Sequence, residues 1–474
     1  MALAAVAAGC STSNPTAAVP KVEAGSTVGP SALGVNVAAW DSIYGDVDVT
    51  SINGLLQAAG VRLMRYSGGS WADEYDWSSN TDTSKCAGTV TTACEASDPL
   101  GFDEFSAHAR SAGASTFITV NYGSGTPSQA AAWITHASAT KADAVALWEV
   151  GNETYSCYET NHHLAGNPTF VKGYLPGGSV CPSTAVMARS YAVNVLPYLA
   201  AMKKASPSAK IGVPWAFSSN QAQGAGVDDA ALWNAKVLHA VKGDVSFVDA
   251  HWYPFDTVSG LTVQEILQST ERIPAAAAKI RTTLHRELPG AAFVVGETNI
   301  SERPTVFDFE PVSALFAAAT SLTWLAQGAE SVDWWDLNNF GSPANGDYGM
   351  VSSGSPETEA AGAPLPPYYG EQLASMLTAS GSHVEAVDTG SPTMLGFESD
   401  LGQVRHVLLV NTGSTEAAVA SDRWFASGTQ LRQTAYSAAT AGSTNPLVRS
   451  AVVAGRSEGL AGESIVVLSG NARA

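Results

Sequence analysis

Short apolar segments alternate with longer alanine-rich stretches of helical spacing along most of the chain. Eight of the apolar segments have the length and composition of β-strands: 33–37, 61–66, 115–121, 145–150, 210–214, 246–251, 292–296 and 331–336. Both faces of these segments are mostly apolar, which indicates strands buried on both sides, as in a parallel sheet covered by helices. Eight strand-then-helix units predict an α/β fold in which the sheet closes into a (β/α)8 TIM barrel.

An open, doubly wound parallel sheet is the alternative arrangement of such units. Sheets of that kind that bind dinucleotides carry a glycine-rich phosphate loop after their first strand. The residues that follow 33–37 contain no such loop. The closed barrel is therefore the favoured prediction.

The pattern changes near Tyr369, where a last predicted helix, 370–377, leads into alternating segments such as 404–411 and 464–468. Glycine, serine and threonine separate these segments, which is typical of an all-β module and predicts a sandwich. The predicted organisation is a leader and tether over 1–18, a strand over 19–30 that joins the sandwich, the catalytic barrel over 31–375 and the sandwich over 376–474.

The charge of the chain excludes some classes of partner. Its 24 basic and 43 acidic residues give a net charge of −19 at pH 7. A field of that sign repels phosphate backbones and anionic lipid, so neither nucleic acid nor a membrane surface is an expected partner. A neutral substrate is compatible with this charge, and so is a role in solubility alone.

Four of the five cysteines fall into two pairs. Cys86 and Cys94 flank a short loop rich in glycine and threonine, and Cys157 and Cys181 bracket a loop rich in glycine, proline, asparagine and histidine. Neither pair has the spacing of a structural zinc site. We expect two disulfide bonds that staple loops, which implies an oxidising compartment.

The fifth cysteine, Cys10, follows a short stretch of small and apolar residues and precedes a tether rich in serine, threonine, asparagine and proline. This arrangement resembles the end of a bacterial lipoprotein signal and predicts a secreted or cell-surface lipoprotein anchored through Cys10. An ordinary secretory leader or an unpaired thiol is the alternative. No later segment has the 18 or so uninterrupted apolar residues that a transmembrane helix needs.

Two glutamates follow predicted strands on what would be the same end of the barrel. The fourth strand leads into the sequence WEVGNET, which contains Glu153, and the seventh leads directly to Glu297. Reactive side chains of parallel barrels lie at the carboxyl ends of the strands. Cleavage of a glycosidic bond needs two carboxyl groups that face the anomeric carbon. A single glutamate in such a place would more often form a salt bridge, but the pair indicates a glycosidase.

At these residues the chain resembles the clan A glycoside hydrolases. Within that clan it is most similar to family 51 α-L-arabinofuranosidases and to bacterial glycosidases often labelled cellulose-binding proteins. The similar segments run in order through the barrel: RLMRYSGGSWADEYDW (62–77), FDEF (102–105), VNYGSGTP (120–127), WEVGNE (148–153), FVDAHWYP (247–254) and VDWWDL (332–337).

The resemblance implies a role for individual residues. Glu153 matches the general acid/base and Glu297 the nucleophile of the double displacement. Asn152 matches the asparagine that hydrogen-bonds the sugar 2-hydroxyl, and Arg65 matches an arginine that supports the nucleophile. His251 and Tyr253 match positions that orient the nucleophile and contact the sugar. Trp335 matches an aromatic residue that lines the first subsite. The chain departs from the family where Thr298 and Asn299 follow Glu297, because the family usually has an aromatic or aliphatic residue there and then asparagine. Because this departure affects the shape of the subsite, the identity of the sugar is left open.

Further substrate contacts are expected from side chains in the loops of the same barrel face. Indole faces stack on sugar rings, and Trp71, Trp77 and Trp252 join Trp335 as candidates, with packing in the core as the alternative for each. Asn121, in the VNYGSGTP segment, is another predicted substrate contact.

No cofactor and no metal is expected. The adjacent pair His162 and His163 has no third ligand in view, so a metal site there is not predicted. The predicted function is a retaining glycosidase acting on plant cell-wall polysaccharide or oligosaccharide, with α-L-arabinofuranosidase first. The alternatives are an endo-β-glycanase or an enzyme like a β-xylosidase or β-glucuronidase, and a non-catalytic carbohydrate-binding lipoprotein.

Overall fold

Eight parallel strands close into a barrel in the computed structural model, which confirms the predicted fold class. The structure describes residues 25–82, 97–139, 145–164, 182–219, 226–339, 341, 344–354, 359–443, 445–455 and 457–472. From first to eighth, the barrel strands are Leu33–Asn36, Leu63–Tyr66, Ser115–Val120, Val145–Val150, Ile211–Trp215, Phe247–Trp252, Ala292–Thr298 and Val332–Trp334. Each strand pairs with its neighbour in the sequence, and Val332 of the eighth pairs with Leu33 of the first.

Helices cover the outside of the barrel. The α-helices are Ile43–Asp46, Val49–Ala58, Phe102–Ala112, Pro127–Ala139, Thr184–Ala205, Ala230–Ala240, Val263–Gln268, Ile273–Glu287, Pro311–Ala326 and Pro366–Ala374. Short 3₁₀ helices span Gly69–Asp73, Ser269–Arg272, Val306–Phe309 and Ser421–Arg423. The last α-helix begins at Pro366, earlier than the predicted 370–377, because proline suits the first turn of a helix.

The C-terminal module is built on a seven-stranded antiparallel sheet. Its strands, in spatial order, are Ser26–Thr27, His383–Ala386, Met394–Leu401, Val404–Asn411, Ser464–Asn471, Gln430–Ser437 and Val448–Val453. Ala417–Ala420 and Ser457–Leu460 form a separate two-stranded sheet. The short strand Ser26–Thr27 comes from the segment before the barrel and pairs with His383 and Val384.

The barrel and the C-terminal sheet share one apolar core. Leu408 and Val410 of the sheet belong to the same cluster of buried side chains as the barrel residues. Helix Pro311–Ala326 lies between the two parts and is buried along almost its whole length. The barrel is therefore packed directly on the β-module.

Several sequence predictions fall outside the described residues. These are the leader with Cys10 and the cysteines Cys86, Cys94 and Cys181. Cys157 is disulfide-bonded, but both predicted pairings stay predictions. In the described part of the chain, no helix combines the length and the apolar character needed to cross a bilayer.

Candidate active site

Glu153 and Glu297 face each other at the carboxyl end of the barrel. Glu297 lies near the end of the seventh strand, and Glu153 lies in the turn that follows the fourth. One carboxylate oxygen of each, together with a ring nitrogen of His251, lies within 4.8 Å of the other two. The structure therefore brings the two predicted carboxylates into a single site.

The turn that carries Glu153 is tight. Glu153 has a φ of 39°, in the left-handed region that side chains other than glycine rarely adopt, and Gly151 before it has a φ of 79°. A Cβ atom at Gly151 would lie 2.7 Å from the Cβ atom of Tyr122 and 2.6 Å from the Cγ2 atom of Thr154. Glycine is needed at 151 for this close approach, and the strained backbone at 153 is typical of a functional position.

Three side chains hold the carboxylate of Glu297. Arg65 Nη1 donates to Oε1 over 2.7 Å, and the Tyr253 hydroxyl donates to Oε2 over 2.8 Å. His251 Nδ1 is 3.5 Å from Oε2. Burial raises the pKa of Glu297, and the positive charges of His251 and Arg65 oppose that rise. These contacts favour the ionised form that a nucleophile needs.

Glu153 is held through one of its two carboxylate oxygens. His251 Nδ1 and the Tyr155 hydroxyl contact Oε1 at 2.8 and 3.0 Å. Within the part of the chain that the structure describes, Oε2 has no hydrogen-bond partner in the protein. This arrangement leaves Oε2 to exchange a proton with a bound molecule.

His251 links the two glutamates. Burial would lower the pKa of His251, but the charges of Glu297 and Asp249 outweigh it and raise this pKa well above its ordinary value. His251 Nε2 lies 3.5 Å from Asp249 Oδ2, on the side of the ring away from the glutamates. The imidazole is therefore positively charged near neutral pH and offsets part of the negative charge of the pair.

Arg65 is the centre of a buried ion-pair network beneath the two glutamates. Its Nη2 atom lies 3.0 Å from Glu149 Oε2, and its Nε atom lies 3.5 Å from Asp249 Oδ2. Its Nη1 atom also donates to Asn36 Oδ1 over 3.0 Å. Burial would lower the pKa of Arg65, but the charges of Glu149 and Glu297 raise it above its ordinary value, so the guanidinium stays charged.

Glycines in the strands make room for these buried carboxyl groups. A Cβ atom at Gly296 would lie 2.2 Å from Asp249 Oδ2, and one at Gly34 would lie 2.0 Å from Asp333 Oδ1. The backbone N–H of Gly296 donates to Asp249 Oδ1 over 2.7 Å. A larger residue at position 296 would displace the carboxyl group of Asp249, and one at position 34 would displace that of Asp333.

Asn152 belongs to the same network. Its Oδ1 atom accepts from Arg65 Nη2 over 2.9 Å, and its backbone N–H donates to Asp73 Oδ2 over 3.2 Å. Asp73 also accepts the backbone N–H groups of Tyr122 and Gly123. The loops after the second, third and fourth strands are thereby tied together around Asn152.

The other predicted substrate contacts lie on the same barrel face but outside this hydrogen-bond network. Trp335 is half-buried, and its indole covers Gly69, where a Cβ atom would lie 2.7 Å from the ring. Trp71 is half-buried and donates its indole N–H to Asp98 over 3.1 Å. The Asn121 amide donates to Ser124 Oγ in its own loop and to Tyr75 O in the loop after the second strand, so it joins these two loops. Substrate contact by these three side chains stays a prediction.

Trp252 has a different position from the one expected of a loop residue. It is the last residue of the sixth strand, is fully buried, and packs edge-on against Phe217 and Trp324 with ring centroids 5.5 Å apart in each case. The prediction of a loop position for Trp252 was wrong, and its alternative role in the core is the observed one. Trp77 is half-buried and stacks on Trp133.

Sequence reasoning missed several members of the network. Tyr155 and Asn36 were not among the candidates, and neither were Glu149 and Asp249. The last two carried a signal, because each is a charged residue inside an otherwise apolar strand. A charge in a strand that is buried on both sides is costly, which marks it as a candidate for the site.

Two sets of three side chains have ligand atoms close enough to hold a metal ion. They are Glu149, Asp249 and His251, and Glu153, His251 and Glu297. Arg65 already supplies a positive charge to three of these carboxylates, and His251, which both sets share, carries a proton. The donor set fits a hydrogen-bonded ion-pair network, and we assign no metal to it.

The comparisons with known proteins point to a shared fold. No protein-family model matches the chain, and no curated protein sequence is similar to it. Among solved structures, a family 51 α-L-arabinofuranosidase from Bifidobacterium longum is 14% identical, with 95% of this chain and 98% of that chain covered and a TM-score of 0.66. A family 51 arabinofuranosidase from Xanthomonas axonopodis pv. citri is 16% identical, with the same coverage and a TM-score of 0.65.

A bifunctional glucanase-xylanase from a metagenome library is also similar. It is 16% identical, with 95% of this chain and 98% of that chain covered and a TM-score of 0.64. These three likenesses establish the architecture, a TIM barrel with a C-terminal β-module, over nearly the whole length of each protein. They do not separate one substrate from another.

Proposed function

We propose that this chain is a retaining glycoside hydrolase in which Glu153 is the general acid/base and Glu297 the nucleophile. The observation that carries the proposal is the short distance between the two carboxylates, whose nearest described oxygens are within 4.8 Å. Retaining enzymes separate their carboxyl groups by about 5–5.5 Å, whereas inverting enzymes leave about 6.5–9.5 Å for a water molecule. The spacing supports direct attack by Glu297.

In the first step the carboxylate of Glu297 attacks the anomeric carbon while Glu153 protonates the departing glycosidic oxygen. The product is a glycosyl ester on Glu297 and a free alcohol. In the second step Glu153 takes a proton from water, whose oxygen attacks the anomeric carbon and releases Glu297. The contacts of Arg65 and Tyr253 with Glu297 hold the attacking carboxylate in place.

For the substrate, α-L-arabinofuranoside is the leading proposal. It is supported by the family 51 segments of the sequence and by the fold shared with family 51 arabinofuranosidases. An endo-β-glycanase is the second candidate, because a glucanase-xylanase has the same fold with a similar TM-score. A β-xylosidase-like or β-glucuronidase-like activity would use the same pair. A non-catalytic binding protein is disfavoured, because such a protein has no need of two carboxylates that face each other and are each held by hydrogen bonds from neighbouring side chains.

A screen against aryl glycosides tests the proposal. The panel contains the nitrophenyl α-L-arabinofuranoside, β-xyloside, β-glucoside and β-glucuronide, together with polymeric arabinan, xylan and glucan. We expect release from the arabinofuranoside. Release only from a polymer would favour the endo-acting alternative. Binding of a polymer in affinity electrophoresis with no release from any substrate would contradict the proposal of catalysis.

For the location of the protein, we propose export and anchoring through a lipid on Cys10. The support is the small and apolar sequence before Cys10 and the polar tether after it. Mass spectrometry of the protein extracted from bacterial membranes should find a diacylglyceryl group on Cys10. Full release of wild-type protein into the medium, equal to that of Cys10→Ser, would contradict the anchor.

A further inference from the structure

A further buried glutamate lies beside the catalytic pair and takes no part in the double displacement. Glu159, later in the loop that carries Glu153, is 4% exposed. Its Oε1 atom accepts hydrogen bonds from Ser70 Oγ over 2.9 Å and from Asn152 Nδ2 over 3.1 Å. Within the described residues, its Oε2 atom has no hydrogen-bond partner. A buried carboxyl group with these contacts has a defined acceptor role.

Glu159 is one end of a continuous hydrogen-bond chain to the nucleophile. Asn152 donates to Glu159 through Nδ2 and accepts from Arg65 through Oδ1, over 3.1 and 2.9 Å. Arg65 in turn donates to Glu297 over 2.7 Å. The chain therefore joins the loop after the fourth strand to the end of the seventh.

Both ends of the Asn152 amide are held, which fixes its plane. The Arg65 guanidinium binds the oxygen, and Glu159 binds one of the two hydrogens on Nδ2. Among the residues that the structure describes, the second hydrogen on Nδ2 has no acceptor. With Arg65 alone, the amide could rotate about its one remaining hydrogen bond, and the direction of the second N–H would be lost.

The pKa of Glu159 suits a side chain that accepts a hydrogen bond from Asn152. Burial raises the pKa of Glu159 well above its ordinary value, and the negative charges of Asp73 and Glu153 act in the same direction. This shift favours the neutral acid form of Glu159. In that form the side chain supplies an acceptor to Asn152 without adding another negative charge next to Glu153.

We propose that Glu159 is a positioning residue that holds the Asn152 amide so that its free N–H donates to the 2-hydroxyl of the sugar. The inference rests on the proposed glycosidase function and deepens it. The bond to the 2-hydroxyl strengthens in the transition state of glycosidases. Glu159 thus acts on the rate through Asn152 and does not itself touch the substrate.

A purely structural role for Glu159 makes a different prediction. If Glu159 only clamped the loop that carries Glu153, its loss would slow all substrates to the same extent. If it positions Asn152, its loss should matter only for substrates that have a 2-hydroxyl. A substrate and its 2-deoxy counterpart therefore separate the two roles.

The experiment measures kcat/KM for the best aryl glycoside of the screen and for its 2-deoxy analogue. For Glu159→Leu we expect the parent substrate to lose about five- to tenfold, the equivalent of one hydrogen bond, and the 2-deoxy substrate to change less than about twofold. Glu159→Gln should keep the wild-type ratio of kcat/KM for the parent substrate to that for the 2-deoxy substrate, because its amide oxygen can accept the hydrogen bond from Asn152 in the same place. Glu371→Gln is the matched control, since Glu371 is a buried glutamate that accepts a hydrogen bond from Ser321 and contacts neither Asn152 nor Glu153.

An equal loss on both substrates in Glu159→Leu would overturn the positioning role. The positioning role would also be overturned if the ratio of kcat/KM for the parent substrate to that for the 2-deoxy substrate were the same in Glu159→Gln as in Glu159→Leu. Glu159→Ala replaces the leucine variant if circular dichroism shows that the latter does not fold. Failure of the wild type to cleave any glycoside would instead overturn the proposed function, so the two failures are distinguishable.

Discussion

The C-terminal sheet and the mouth of the barrel are both buried, yet they are built from opposite kinds of side chain. In strand Val404–Asn411, successive side chains alternate between two apolar clusters. Leu408 and Val410 face the barrel, and Val407 and Leu409 face the outer layer of the module. A strand that is apolar on both faces stabilises the fold at no electrostatic cost.

At the mouth of the barrel the buried positions are charged. Arg65, Glu149, Asp249 and Glu297 are at most 5% exposed and depend on one another for their hydrogen bonds and charge balance. Replacing a buried ion-pair network by apolar residues is often neutral or stabilising, so stability alone does not account for it. The difference indicates that the sheet serves the fold, whereas the mouth has the charged groups that the proposed chemistry needs. Substitutions in the two regions should therefore separate stability from activity.

The largest expected effect on activity is at Glu297, the proposed nucleophile. Glu297→Gln removes the attacking carboxylate but keeps a side chain of the same shape, so we expect kcat to fall by about 10⁴-fold or more. The melting temperature should change little, because Arg65 keeps its pairing with Glu149. Steady-state kinetics on the best aryl glycoside and a thermal melt measure the two effects. A loss in kcat of less than about tenfold would contradict the assignment of Glu297 as the nucleophile.

Substitution of Glu153, the proposed acid/base, should cause a loss of activity that depends on the leaving group. Glu153→Ala should cost about 10²–10⁴-fold on a substrate with a poor leaving group, the usual contribution of a general acid. It should retain some activity on dinitrophenyl glycosides, which depart without a proton. The measurement is kcat/KM for a series of aryl glycosides with different phenol pKa values. A uniform loss along the series would contradict the role of Glu153.

The apolar sheet should respond in the opposite way. Leu408→Ala removes a fully buried side chain between the sheet and the barrel, so we expect the free energy of unfolding to fall by about 2–5 kcal/mol. The kcat of the folded fraction should stay at the wild-type value. Chemical denaturation and active-site titration report the two quantities. A large loss of kcat in the folded protein would contradict the expectation that substitutions in the sheet change stability and leave activity unchanged.

A buried carboxyl group outside the active-site network, that of Glu371, extends the comparison to the pH dependence of stability. Burial raises the pKa of Glu371 from 4.5 to about 8, with only a hydrogen bond from Ser321 opposing it. Between these values the folded state keeps a proton that the unfolded state releases. This contribution to stability is therefore fully present below pH 4.5 and is lost as the pH rises toward 8.

Glu371→Gln should remove that part of the pH dependence. We expect its free energy of unfolding, measured by urea denaturation at several pH values, to fall less between pH 5 and pH 8 than that of the wild type. Its kcat at a fixed pH should not change. Parallel pH profiles for the two proteins would show that Glu371 is already ionised in the fold.

The smallest expected effect is at Tyr155. Tyr155→Phe removes one of the two hydrogen bonds to Glu153 Oε1 and should lower kcat/KM by about fivefold, the equivalent of about 1 kcal/mol. His251 should keep Glu153 in place, which is why the loss is small. The measurement is kcat/KM on a substrate with a poor leaving group. An unchanged value would show that His251 alone is sufficient.

The two regions also differ in how far the sequence predicts them. All eight barrel strands were predicted, because an apolar run of strand length is a local property of the chain. The placement of Glu153 and Glu297 at one end of the barrel was predicted for the same reason, since their positions follow directly from the ends of predicted strands. The predicted β-module was confirmed in kind from the alternation in segments such as Val404–Asn411.

The network around the two glutamates could not be predicted in the same way. Tyr155 and Glu159 approach Glu153 and Asn152 only through the path of one tight turn, and that path depends on backbone angles rather than on pattern. Trp252 shows the reverse case. Its place after an apolar strand indicated a loop, but the strand continues by one residue and its outward face packs against Trp324.

The stereochemistry of the first-formed product tests the central claim most directly. With the substrate identified by the screen, proton NMR can follow the anomeric signal of the released sugar before it mutarotates. Attack by Glu297 followed by attack of water inverts the anomeric carbon twice, so the released sugar should have the same anomeric configuration as the substrate. Release of the opposite anomer would contradict the account, because it would mean that water attacks directly and that Glu297 forms no bond to the sugar.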